Sequence, residues 1–363
     1  MRKKILTWVR YFIRYGLPMA LSALLVVWLF RKVNFRQMMD LLHHGVNYWW
    51  ILLMMVLTVF SHIIRGYRWG MQLSAAGINT PIGVRCVAVF GNYALNLLIP
   101  KIGEVWRPLY ISRTAKAPFS KVLGTLLGDR TCDGLTVLCL IAMTFVLTSS
   151  DIRAFVHKYP VGRDILDVLD NPILWGCILG VFAIVWALFH FGSNLRFVKR
   201  TEGSLEKCWV GFKALAAMKK KGLFLVYTLG IWICYYLQVY VCFFAFPFTD
   251  ELAHEPHMAF GLMPALVAFV FSTISMAIPS NGGLGPWNLA IIFGLTLFGV
   301  NRTDATAFSM LVWAAQSFTL VLLGIYSLVF IMGGKDQGKS SYTPSPEELK
   351  KEEALEQTPV ANS

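Results

Sequence analysis

Nine stretches of apolar residues limit what this chain can become. They lie near 16–30, 47–64, 83–99, 122–148, 173–191, 223–246, 260–279, 286–300 and 305–332. Several approach or exceed the roughly 18 apolar residues that cross about 30 Å of hydrocarbon as a helix. A backbone in lipid must satisfy its own N–H and C=O groups, which leaves helices and closed barrels. The stretches are continuous and do not alternate over ten residues, so they exclude the barrel. Composition agrees: of 363 residues, 56% are hydrophobic and only 15% charged, too few to clothe a soluble domain. The sequence predicts an all-α polytopic membrane protein.

Charge sets the orientation. The formal net charge of +13 lies in short connections between runs, where Lys and Arg mark the cytoplasmic side and do not signal a nucleic-acid surface. Arg2, Lys3, Lys4, Arg10 and Arg14 place the N-terminus inside. No small-residue cleavage site follows the first run, so it is read as a retained helix. Connection 192–222 is strongly basic and inside; 247–259, with Asp250, Glu251, Glu255 and no Lys or Arg, is outside. Connection 149–172 is slightly acidic and outside, whereas 100–121, with five basic residues against Glu104, is inside. Connection 31–46 departs from the rule, since it should be outside yet carries Arg31, Lys32 and Arg36 against Asp40.

A simple count of crossings conflicts with these sides. The conflict disappears if 83–121 enters the membrane and returns, turning at the broken sequence around Pro100 and Gly103. Broken backbone at depth is tolerated where protein or a water-filled cavity surrounds it. The device recurs, because Ile99-Pro100-x-x-Gly103 is matched by Ile278-Pro279-x-x-Gly282. The expected architecture is about six full crossings plus two re-entrant hairpins, as two inverted repeats over 1–148 and 173–332 of one transmembrane domain, 1–332. Transporters place their sites where such breaks meet; the plain reading is a chance recurrence of common Pro and Gly. The polar segment 333–363 is read as a disordered cytoplasmic tail, which leaves no room for a soluble catalytic domain.

The charged residues beside the first break carry the chemistry. Glu104, Arg107 and Arg113 follow it, and Asp129, Arg130 and Asp133 open the next run. Asp129 and Asp133 share a helix face, and Arg130 and Asp133 are spaced to pair. An ionisable group in the apolar zone costs at least about 2.5 kcal/mol and should face a partner in the bundle. Arginine there suits a lipid phosphate, which its fork binds bidentately; the structural alternative is an ion-pair lock on the hairpin. Arg65 and Arg68 end the second run and read as anchors whose stems reach the interface, the alternative being a headgroup contact beside Arg107. Asn281, Gly282, Gly283 and Gly285 form a Gly-rich break before Pro286, where a helix start could offer N–H groups to an anion. That break lacks the strand-to-helix context of a nucleotide loop. Seven His and seven Cys show no metal-ligand spacing. His62 reads as a satisfied structural histidine. No metal or cofactor is expected.

The order Asn96, Pro100, Gly103-Glu104, Arg107, then Asp129-Arg130-x-x-Asp133, then Ile278-Pro279 through Gly285 resembles the lysylphosphatidylglycerol synthase transmembrane-domain family. That family is also called flippase-like and was formerly called dolichol-phosphoglucose-synthetase-like. The resemblance covers about 10–332. It implies a helical domain that moves lipids between leaflets, fused in some members to an aminoacyl-transferase domain that is not expected here. It adds Asn96 to the candidate substrate-binding residues Glu104, Arg107, Arg113, Asp129, Arg130, Asp133, Asn281, Gly282, Gly283 and Gly285. Two positions depart from the family pattern: Asp129 stands where Glu is common, and Trp287-Asn288 stands where a Glu often follows the late glycines.

Three functions fit. The first is a flippase-like protein of the bacterial inner membrane, both termini cytoplasmic, that moves an anionic or polyprenyl-phosphate-linked lipid downhill or with a coupling ion. The second is a membrane-embedded glycosyl- or aminoacyl-lipid transferase, which would need a larger exposed loop than the chain has. The third is a scaffold for envelope-synthesis partners.

Overall fold

The computed structural model describes residues 36, 39, 40, 43, 45–158, 218, 220–256, 259–334 and 340–344, and side chains within 145–158 are left aside. The expected first crossing, the crossing at 173–191 and nearly all of the basic connection 192–222 lie outside the described residues.

The described chain is almost entirely helical. Helix α1 (Tyr48–Ala75) runs uninterrupted through a Pro-free sequence and stops before Gly77. Strand β1 (Ile78–Asn79) leads into α2 (Ile82–Leu98), which ends two residues before Pro100 because a proline pushes its predecessor out of the helical region. Helix α3 (Ile102–Ala115) restarts after Lys101 in a left-handed conformation, with Glu104 in its first turn, where the helix dipole favours a carboxylate. Then come α4 (Phe119–Lys158), α5 (Lys221–Phe243), α6 (Pro247–His254), α7 (Leu262–Ser275), α8 (Pro286–Thr296), α9 (Arg302–Met332) and β2 (Ser341–Tyr342).

Length and apolar character sort seven of these helices into two kinds. Among the described residues α1, α5 and α9 are long and apolar enough to cross a membrane. Their 28, 23 and 31 residues reach about 42, 35 and 47 Å at 1.5 Å per residue. They leave large apolar side chains uncovered, including Leu225, Val226, Ile233, Phe318, Leu328 and Val329. By contrast α2, α3, α7 and α8 have 17, 14, 14 and 11 residues, and none covers about 30 Å. They pack in pairs, α2 with α3 and α7 with α8.

The chain forms two compact units. One holds residues 55–131, 208–235 and 315–363; the other holds 1–54, 132–207 and 236–314. In the first, Trp69, Leu73, Ile78, Val84, Val87, Ile111 and Val122 make a fully buried cluster from α1, β1, α2, α3 and α4. The second contains the α7–α8 pair, so close that a methyl on Gly294 would sit 2.8 Å from the Ala268 Cα. It also holds an aromatic cluster in which Phe308 meets Phe243 and Phe246.

The segment read from sequence as a disordered tail holds one ordered strand. Ser341 and Tyr342 pair antiparallel with Asn79 and Ile78, the Thr343 N–H donates to the Gly77 carbonyl at 2.9 Å, and Tyr342 packs on the buried cluster. The Lys121 ammonium donates to the Tyr342 hydroxyl at 3.2 Å. A polar tail can dock when it pairs its backbone with an exposed strand edge, and β1 supplies that edge.

Candidate functional site

The first break is held shut by its own residues. The Asn96 side-chain oxygen accepts the Gly103 N–H at 2.8 Å, satisfying one of the free donors at the start of α3. A methyl at Gly103 would fall on the Asn92 carbonyl, so only glycine lets α3 approach α2 this closely. Asn96 thus staples the hairpin, and Gly103 sets the distance at which Arg107, one turn on, meets its neighbours.

Arg107 is completely buried, and so is Asp129 on α4. Asp129 lies 3.6 Å from Arg107, 3.5 Å from Arg65 and 2.6 Å from Arg68. Arg65 and Arg68 are 2% and 0% exposed. They lie ten and seven residues inside the end of α1, so they do not snorkel to the interface as the sequence suggested. The apolar run ends near residue 64, but the helix continues to Ala75, which carries both arginines into the protein.

Each arginine has further support. The Arg107 guanidinium sits 3.9 Å over the Trp69 ring, a cation–π contact strengthened by burial. The Trp69 N–H donates to Thr125 Oγ1 at 3.2 Å, which fixes the ring. Arg65 donates through Nε to the Tyr235 hydroxyl at 3.3 Å, and Arg68 through Nη1 to Thr228 Oγ1 at 3.4 Å. Thr228 and Tyr235 are seven apart, two turns along one face of α5.

Three guanidinium groups converge on the one Asp129 carboxylate, all in one unit. The three side-chain nitrogens of Arg107 have no hydrogen-bond partner among the described residues, and no hydrogen bond reaches either Asp129 oxygen. The contacts around the carboxylate are therefore ion pairs by distance without aligned N–H···O geometry. A guanidinium has five N–H donors, and those of Arg107 have no aligned acceptor among the described residues.

The other expected residues separate. Arg130 reaches Glu104 at 3.4 Å, both about one-third exposed, a pair that ties α4 to α3 and balances itself. Asp133 is buried one turn beyond Asp129. Arg113 is exposed, six residues from Arg107 and on another side of α3. The second break belongs to the other unit. Gly282, Gly283 and Gly285 there adopt positive φ, and α8 starts at Pro286. Asn288 accepts the Gly285 N–H through Oδ1 and donates through Nδ2 to the Ser309 carbonyl. The Gly282 carbonyl accepts the Trp313 N–H at 2.9 Å. Asn288, of the Trp287-Asn288 pair that stands where the family pattern often carries a Glu, is thus engaged in closing the turn. Sequence reasoning missed Trp69, Thr125, Thr228 and Tyr235; a Thr and a Tyr seven apart in a mostly apolar helix were the available signal for the last two.

Spanning helices, paired short helices and a buried cationic cluster define a helical integral membrane protein with an internal polar site. A family model described as the lysylphosphatidylglycerol synthase TM region matches residues 17–324, and the chain belongs to that family. No curated protein and no solved structure matches the chain.

Proposed function

We propose that this protein translocates an anionic, phosphate-bearing lipid between leaflets, with the headgroup phosphate held by Arg65, Arg68 and Arg107 around Asp129. One observation carries this reading: three buried guanidinium groups converge on Asp129, and no side-chain nitrogen of Arg107 makes a hydrogen bond among the described residues. Buried charge is tolerated when paired and hydrogen-bonded, so the donors of Arg107 invite an anion. Guanidinium forks match phosphate oxygens, and Asp129 holds the three groups together when no headgroup is bound. The family's printed name attaches it to a lipid with a phosphate diester.

The short paired helices support re-entrant hairpins. Ile78, before α2, pairs with Tyr342, and Lys121, after α3, donates to the Tyr342 hydroxyl. The chain thus leaves and returns at one end of the unit, as a hairpin entering from one side does. The second pair, α7–α8, supports two inverted halves, and the basic connections support cytoplasmic termini in a bacterial inner membrane.

The test is leaflet exchange of labelled lipids in liposomes carrying the purified protein, wild type against Arg107→Ala and Asp129→Ala. Faster exchange of an anionic lipid by wild type, lost in both folded variants, is expected. Exchange no faster than in empty liposomes, with and without an imposed ion gradient, would overturn the proposal and favour a scaffold.

A further inference from the structure

A row of buried polar residues runs along α4 from the tail strand to Asp129. Lys121, Thr125 and Asp129 are spaced by four and share one helix face, and they are 4%, 1% and 0% exposed. Asp129 meets the arginines. Thr125 accepts the Trp69 N–H and so fixes the ring on which Arg107 sits. Lys121 is one turn further from the cluster and takes a partner from the far end of the chain. Its ammonium lies 5.0 Å from the centroid of the Tyr342 ring and donates to the Tyr342 hydroxyl.

The strand that carries Tyr342 is fastened from other sides as well. It pairs with β1 and lies against α3. Tyr342 packs on the buried cluster that contains Trp69, Ile111 and Ala115. The tail passes so near the turn after α1 that a Cβ on Gly77, which has φ +77°, would stand 2.5 Å from the Thr343 carbonyl oxygen. The chain that leaves α9 therefore returns to tie the turn after α1, α3 and α4 together at one end of the unit.

This tie bears on entry to the site. Arg107 and Asp129 are fully enclosed, so an anion reaches them only when the helices around them part. A strand laced across α3, α4 and the turn after α1 opposes that parting. It is also weakly held, since its ladder is two residues long. Lids and other moving elements are drawn from such low-stability segments.

We infer that residues 340–344 form an autoinhibitory strap. Docked, it holds the Lys121–Thr125–Asp129 face in the closed arrangement; released, it lets a headgroup reach the arginines. This rests on the anionic-lipid reading above and adds its regulation. The experiment uses the full chain in liposomes, in a background without the native cysteines. Asn79 and Ser341 are opposed and exposed. Opposed antiparallel residues have Cα atoms about 4.5–5.5 Å apart, within reach of a disulfide. Asn79→Cys with Ser341→Cys should therefore lock the strap when oxidised and free it when reduced, each form the control for the other. Exchange of labelled phosphatidylglycerol should be about tenfold slower in the oxidised form. Tyr342→Ala should exchange about tenfold faster than Tyr342, as when a two-state equilibrium loses one hydrogen-bonded contact. A second readout needs no transport. Ala115→Cys, at a position 2% exposed, should react faster with a water-soluble maleimide when combined with Tyr342→Ala. Equal reactivity would overturn the docked strap. Altered reactivity with unchanged exchange in both the locked form and Tyr342→Ala, or with slower exchange in Tyr342→Ala, would overturn the inhibitory role and leave transport standing. Altered reactivity with no exchange in any form, with and without an ion gradient, would overturn the transport reading and the inhibition that rests on it.

Discussion

At the scale of single residues, Asp129 and Glu104 make a controlled comparison. Both pair with arginine, but Asp129 is fully buried among three guanidinium groups and Glu104 meets one at the surface. Removing one partner of a buried ionic group leaves uncompensated charge and costs about 3–5 kcal/mol, whereas an exposed pair is worth at most about 1 kcal/mol. Asp129→Asn should therefore lower the unfolding free energy of the purified protein in detergent by several kcal/mol, and Glu104→Gln by little. Equal effects in thermal or denaturant unfolding would show that the buried cluster is not held by its carboxylate. The sequence showed Asp129 and Arg107 because charges in an apolar region stand out. It misplaced Arg65 and Arg68 because an arginine just past an apolar run has the same local signature whether the helix ends there or continues into the protein. Only the helix end at Ala75 separates the two cases. His62 was half legible: its bond to Thr58 is a local i−4 contact, while the uncommitted Nε2 depends on tertiary neighbours.

Among the elements, the α2–α3 hairpin depends on one close approach. Gly103→Ala would place a methyl on the Asn92 backbone, an overpacking that costs about 1–3 kcal/mol and moves Arg107 with its helix. Gly134 in α4 has nothing within 4 Å of an added Cβ, so Gly134→Ala should be neutral or stabilising by up to about 1 kcal/mol through helix propensity. Unfolding of the two variants side by side checks the assignment; an equally mild Gly103→Ala would mean that the hairpin tolerates a wider spacing. The break itself was readable from Pro100 and Gly103, and the start of α8 from Pro286 after Gly285, because proline and glycine fix local geometry. The docked strand was not readable. Ser341–Tyr342 lies in a polar tail, and its partner β1 is two residues long, so neither carries a periodic signal. Tyr342→Ala should nonetheless cost about 1–2 kcal/mol for the lost ring burial and the Lys121 contact. It should also expose the tail to limited proteolysis near residue 342. Unchanged stability and an unchanged cleavage pattern would show that the strand contributes nothing in solution.

For the whole molecule, the question is how often the chain crosses. Three described helices are long and apolar enough to do so, and the paired short helices are too short. A helix of 17 residues followed by one of 14 could still traverse the bilayer end to end if the break were straight. The strand pairing argues otherwise, because Asn79 lies opposite Ser341 while Lys121 meets the neighbouring Tyr342. Residues before and after the hairpin therefore share one end, and a lipid bilayer would place them on one side. Asn79, Lys116 and Ser341 are all exposed. Single cysteines at these three positions, in a background without the native seven, should react with a membrane-impermeant maleimide from the same side, the cytoplasmic side if Lys and Arg set the orientation. Labelling of Lys116→Cys from the side opposite to Asn79→Cys would make α2–α3 a full crossing. It would also remove the proposed inverted symmetry, since that symmetry requires three crossings in each half. The experiment thus tests the basic connections, whose charge first demanded a returning segment, against the short helices and the docked strand, which reach the same conclusion from lengths and contacts alone.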